Sequence, residues 1–178
     1  MRMIVYDTMP SPVGELTIVA DDVGLTGVYF EQHQHGHRHD GSWRHASEQR
    51  AGAASAVLED ARTQLEAYFA GALTTFALPL AATGTPFQTR VWSALREIGF
   101  GETINYAELA RRVGNPAAVR AVGGANARNP IPIVVPCHRV IGADGALTGF
   151  GGGMERKRWL LQHERARGGA SEQGSLLL

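Results

Sequence analysis

The stretch 129–153, NPIPIVVPCHRVIGADGALTGFGGG, constrains this chain more than any other. Prolines at 130, 132 and 136 remove three backbone donors, which excludes a central β-strand. The glycines between 142 and 153 mark a backbone that turns sharply or lies close against something. Helical patterns flank the stretch on both sides, so it must be an irregular segment held by helices. Reactive groups are commonly displayed on such segments. This one carries the only cysteine of the chain, Cys137, followed directly by His138.

The rest of the chain divides in texture near residue 82. Residues 3–30 contain MIVYDT, ELTIVAD and LTGVYF, three β-rich runs separated by Pro/Gly/Asp turns, which predict a meander of antiparallel hairpins. Residues 31–45 are polar and unpatterned and predict a loop. Within it His33, His35, His37 and His39 alternate with polar residues; alternating histidines can bind metal, but a solvated loop is the expectation. Leu58, Leu65, Tyr68 and Phe69 recur at helical spacing over 46–70, with Gly71 placed to end that helix. TTFALPL at 74–80 predicts one more strand, and AATGT a linker. Beyond it Thr85, Pro86 and Gln88 form a capping-box pattern. Val91, Trp92, Leu95 and Ile98 follow as an apolar stripe. Asn105 with Glu108 repeats the cap signature before YAELARRV, which Gly114 ends. Asn115-Pro116 opens AAVRAVGGANAR, giving two short helices around a tight turn, as in a helix-turn-helix. A last helix covers MERKRWLLQHERAR, and the remainder is expected to be a loose tail. The expected divisions are 1–81, 86–165 and a tail at 166–178.

Charge follows the same division. Residues 1–86 carry a net −5 and residues 87–165 a net +5, although the whole chain is neutral. A basic second half suggests an anionic partner. No apolar run approaches the roughly 18 residues that span a bilayer. The start lacks a signal-peptide h-region, so a cytoplasmic protein without membrane contact is expected. One cysteine excludes an internal disulfide and a multi-cysteine zinc site, and no metal is expected.

A lone cysteine is commonly a small buried hydrophobe. To act as a nucleophile it needs a base to take its proton, and that base needs a third group to orient it. His138 is the candidate base. Glu164 and Glu155 on the last helix are both candidates for the third group, and spacing alone does not choose between them.

PCHRV, set in RAVGGANARNPIPIVVPCHRVIGADGALTGFGGGMERKRWLLQHE, resembles the O6-alkylguanine-DNA alkyltransferase family. The resemblance covers roughly 86–165 closely. It implies an α/β protein, with a ribonuclease H-like N-terminal domain of a small antiparallel sheet plus helix. The implied C-terminal domain is mostly helical, with a winged helix-turn-helix-like core. The implied activity is direct-reversal DNA repair, moving an alkyl group from O6-alkylguanine (and O4-alkylthymine as a further substrate) to the protein's own cysteine. The transfer happens once and irreversibly, after base flipping. No cofactor is implied. The partner is double-stranded DNA bound through its minor groove by a monomer, with cooperative binding as an open variant.

By the same resemblance Cys137 accepts the alkyl group, His138 takes its proton through a water, and Glu164 holds His138. Tyr106 helps protonate the leaving guanine, and Asn129 is the hinge asparagine. Arg120 enters the duplex where the base has left. Ala121, Gly123, Gly124, Ala127 and Arg128 complete the DNA-facing helix, and Arg139 is structural. Pro132, Val140, Phe150 and Gly151 are expected to line the pocket. Phe150 stands where the family commonly has tyrosine, which predicts a wider and less polar pocket. A Cys-His-Glu hydrolase would give no reason for the helix-turn-helix, and a non-catalytic damage binder would lack the cysteine.

Overall fold

The computed structural model describes residues 2–32, 39, 41–49 and 52–173. The chain divides into two compact units. One is Met1–Thr83 with Pro130–Pro132, and the other is Gly84–Asn129 with Ile133–Leu178. The sequence pattern does not anticipate the return of Pro130–Pro132 to the first unit.

In the first unit β1 (Val5–Met9), β2 (Leu16–Ala20) and β3 (Leu25–Phe30) form the expected antiparallel meander. A fourth strand, β4 (Arg44–His45), joins β1 in parallel inside the predicted loop, so the sheet is mixed, in the order β3-β2-β1-β4. The predicted helix is shorter than 46–70. Residues 46–48 make a 3-10 turn, and α1 (Ala53–Phe69) follows. Gly71 ends it at φ 75°, a left-handed conformation that a glycine adopts without strain. Leu58, Ala61, Leu65 and Tyr68 of α1 are buried, as are Val5, Leu16 and Ile18 of the sheet. Arg62 ties helix to sheet, donating to Asp7 Oδ2 at 2.6 Å and to the Thr8 carbonyl at 2.7 Å.

The strand predicted at 74–80 does not form. Only Leu80 pairs with Leu25, as an isolated bridge. Pro79 has no N–H to give, and the Gln64 side chain takes both backbone groups of Ala77, at 2.8 and 3.1 Å. Of the alternating histidines, His33, His35 and His37 lie outside the described residues. His39 sits edge-on to Tyr6 and Trp43.

The second unit is built of helices. The Thr85 capping box is present in both directions and opens α2 (Pro86–Leu95). Asn105 caps α3 (Tyr106–Arg112) by accepting from the Glu108 N–H at 2.8 Å. α4 (Val119–Ala127) starts later than Asn115-Pro116 predicts and has no side-chain cap. α2 and α3 both pack on α4. Two short parallel strands, β5 (Ile104–Asn105) and β6 (Val140–Ile141), place the irregular segment beside the start of α3. α5 (Met154–Gln173) closes the unit and runs on into the stretch expected as a loose tail. No helix among the described residues is long and apolar enough to cross a membrane.

Candidate active site

Adjacent side chains of an extended strand point to opposite sides. Cys137–Arg139 is instead a single 3-10 turn, entered at Pro136, in which successive side chains diverge by about 120°. The Cys137 N–H donates to the Val135 carbonyl at 2.8 Å, and Asn129 Nδ2 donates to the same oxygen at 2.7 Å. Asn129 therefore holds the loop that carries the cysteine. Cys137 is 4 % exposed and His138 is completely buried. Burial pushes the Cys137 thiol up to about 11, against the opposing pull of Asn129, Lys157 and the backbone N–H groups of Cys137 and His138. A thiol this reluctant to ionise needs a base at hand.

His138 Nε2 lies 2.7 Å from Glu164 Oε1. Arg139 donates through Nε to Oε2 and through Nη2 to Oε1, both at 2.9 Å, and the Gly101 N–H reaches Oε2 at 3.2 Å. Burial alone would raise the pKa of Glu164. Its contacts with His138 and Arg139 win and hold it well below the carboxylate range. An ionised carboxylate only accepts, so Nε2 carries the imidazole proton and Nδ1 is left as the basic nitrogen. Nδ1 is buried and makes no hydrogen bond to another group among the described residues. Burial lowers His138 below its ordinary value, Glu164 opposing. The ring is neutral at neutral pH and able to accept a proton. Of the two glutamates, Glu164, the one the resemblance implies, meets His138, whereas Glu155 is exposed. Arg139, expected to be structural, also donates to the Ile98 carbonyl at 2.6 Å.

Two residues of this site were not singled out by sequence reasoning. Lys157, the only lysine, is completely buried. Its Nζ donates to the carbonyls of Val140 and Thr148, both at 2.6 Å. Burial lowers its pKa to about 8, while Cys137 opposes the shift. The same Thr148 carbonyl accepts from the Tyr106 hydroxyl at 2.9 Å. The signal was present as a helical register, because 157, 160 and 164 share one face of α5 with buried Leu160 and Glu164. The second residue is Asn126, on the buried face of α4 with Val122 and Ala125. Its Nδ2 donates to the Cys137 carbonyl at 3.3 Å. Its Oδ1 is buried and has no hydrogen bond among the described residues.

The other expected residues divide by exposure. On α4 and just after it, Arg120, Ala121 and Arg128 are exposed, and Gly123, Gly124 and Ala127 are half-buried. Arg128 turns back to the Gly124 carbonyl at 3.2 Å. Small side chains thus leave α4 thin on its outer face. Val140, Phe150 and Gly151 are buried in the same unit as Cys137. Pro132 is also buried, but it belongs to the stretch that joins the first unit.

The chain is similar to known proteins over nearly its whole length. The family model of the 6-O-methylguanine DNA methyltransferase DNA binding domain matches residues 86–166. That of the same family's ribonuclease-like domain matches residues 4–82. The methylated-DNA–protein-cysteine methyltransferase of Haemophilus influenzae is 46 % identical over 166 residues, covering 93 % of this chain and 88 % of the relative. The Bacillus subtilis constitutive enzyme of that name is 45 % identical over 161 residues, covering 90 % of this chain and 94 % of its own. Among solved structures, Mycobacterium tuberculosis OGT in complex with DNA matches with a TM-score of 0.82 at 46 % identity, over 92 % of this chain and 94 % of that one. With both domain models matched and such identity over such coverage, the chain belongs to the 6-O-methylguanine DNA methyltransferase family.

Proposed function

We propose that this protein repairs DNA by moving the alkyl group of O6-alkylguanine onto its own Cys137. The observation that carries the reading is the buried His138–Glu164 hydrogen bond directly beside the sole cysteine, on a unit of the DNA-binding family. An alkyl group on guanine O6 lies inside the base stack, so a protein sulfur reaches it only after the nucleotide is flipped out. His138 Nδ1 then takes the thiol proton through a water, for which a buried nitrogen without a protein partner is suited. Glu164 and Arg139 keep the imidazole in the tautomer that can do so. Sulfur attacks the alkyl carbon in line, the C–O6 bond breaks, and Tyr106 gives the departing purine a hydrogen bond. Asn129 fixes the loop. Val140, Phe150 and Gly151 wall the base. The thioether has no good leaving group, so each molecule acts once.

Double-stranded DNA is the partner, entered from the minor groove by α4. Ala121, Gly123, Gly124 and Ala127 let that helix approach closely, and Arg128 flanks it. A monomer suffices, because every residue with a role in the chemistry comes from one chain, and the protein works in the cytoplasm. Residues 1–81 form the N-terminal sheet and helix domain, and residues 86–165 carry DNA binding and the alkyl acceptor. The test is the intact mass of the protein after incubation with a duplex containing one O6-methylguanine. One added methyl, mapped to the peptide holding Cys137, supports the reading. An unchanged mass with unchanged lesion overturns it.

Arg120 fills the gap left by the flipped base, offsetting part of an unstacking cost of a few kcal/mol. Arg120→Ala is therefore expected to slow transfer from duplex by about ten- to a hundredfold, and to leave transfer from the free base O6-methylguanine unchanged. Equal slowing on both substrates would count against the finger.

A further inference from the structure

Asn126 is 1 % exposed on the inner face of α4. Its Nδ2 reaches the carbonyl of the nucleophile at 3.3 Å, while its own carbonyl is buried without a partner. An apolar side chain of similar volume would escape that unpaired acceptor, so the fold alone argues against asparagine here. The neighbouring groups supply the reason for it. Gly123, one turn before Asn126 on α4, faces the Tyr106 ring, where an added side-chain carbon would stand 3.8 Å away, and the Asn126 amide eases ionisation of a phenol that burial otherwise opposes. Asn126 thus holds the backbone of the attacking residue from the helix that Tyr106 lies against.

We propose that Asn126 is a positioning residue for the leaving-group step, its amide N–H, anchored on the Cys137 carbonyl, donating to Tyr106 Oη as that hydroxyl serves the departing purine. The inference rests on the alkyl-transfer reading and deepens it. During transfer the Sγ–C bond forms and the C–O6 bond breaks, its electron pair staying on the purine. The purine takes its proton from the Tyr106 hydroxyl. The thiol proton rests on His138, and solvent returns a proton to Tyr106 afterwards. In the free protein the Tyr106 hydroxyl is spent on the Thr148 carbonyl at 2.9 Å. It must let go of that carbonyl to reach the base. The Asn126 amide donates to the oxygen and leaves its hydrogen free to turn, so it steadies Tyr106 through the exchange and takes up charge that develops on Oη.

The test compares two methyl donors with opposite demands on the leaving group. The O6-methylguanine duplex needs its purine protonated or hydrogen-bonded, and iodomethane releases iodide, which needs neither. Asn126→Leu is expected to slow single-turnover methylation by the duplex at least about tenfold. Methylation of Cys137 by iodomethane stays at the wild-type rate, and the melting temperature stays level or rises. Tyr106→Phe shows the same split, and the double variant is no slower than the slower single variant. An undiminished rate on duplex overturns the inference, as does equal slowing with both donors. A melting temperature well below wild type also overturns it, because the residue would then be serving the fold. Asn126→Ala repeats the comparison without the added bulk of leucine. Wild-type protein that fails to take methyl from the duplex would instead overturn the alkyl-transfer reading itself.

Discussion

Cys137→Ala is expected to leave every O6-methylguanine in a duplex unrepaired, with no methyl appearing anywhere on the protein. The chain has no second cysteine to take over as acceptor. The loss is complete and not graded, because the residue is consumed as reagent and is not merely an accelerant. The variant should still bind the methylated duplex, since the exposed face of α4 is untouched. Removing one small buried side chain costs on the order of 1 kcal/mol, so the fold survives. Lesion content after incubation, read beside intact protein mass, checks this. Residual transfer, or a methyl found on any other residue, would remove Cys137 from its role.

Glu164→Gln should produce the largest combined effect on stability and rate. Glu164 is fully buried and meets Arg139 through two hydrogen bonds and His138 through a third. Glutamine leaves the Arg139 guanidinium buried without its counter-charge, and breaking such a pair costs about 3–5 kcal/mol. In a chain of this size that lowers the melting temperature by roughly 10 °C. Glutamine can also donate to Nε2, which allows the proton to move to Nδ1 and removes the base. Losing a positioned base slows transfer by about a hundredfold or more.

The pH dependence carries a sign that can be checked. The folded Glu164 titrates below its ordinary 4.5, so its stabilisation is complete above about that pH and is lost as pH falls toward the folded value. His138 in the fold titrates below 6.5, so its contribution also fades with acid, starting below about that pH. Wild type should therefore lose stability on acidification in both ranges. Glu164→Gln should be less stable throughout and show a shallower decline below pH 4.5. Thermal melts across pH test this, and a variant with wild-type stability and slope would show that the buried carboxylate is not ionised.

What the sequence made legible was local. The Thr85 capping box, the Asn105 cap and the turn at Gly71 each depend on residues within a few positions, and each is present. β4 was not legible, because two residues have no periodicity and their partner lies some forty residues earlier in β1. The expected strand at 74–80 failed for a similar reason, since a distant Gln64 claims its backbone. In the site, PCHRV pointed to Cys137 and His138, but spacing could not separate Glu164 from Glu155. The resemblance chose Glu164, and the placement of α5 sets that residue against His138. Asn126 and Lys157 read as an ordinary polar residue in a short helix and one charge among many. Burial, which sequence does not display, is what marks them.

The two carbonyls that enclose Lys157 have a practical consequence. Acylating reagents that seek amines find this chain's single lysine side chain only when the structure around it parts. Apart from the terminal amine, the rate at which such a label accumulates is a clock for opening of the region around the sulfur, written into the protein without any added probe.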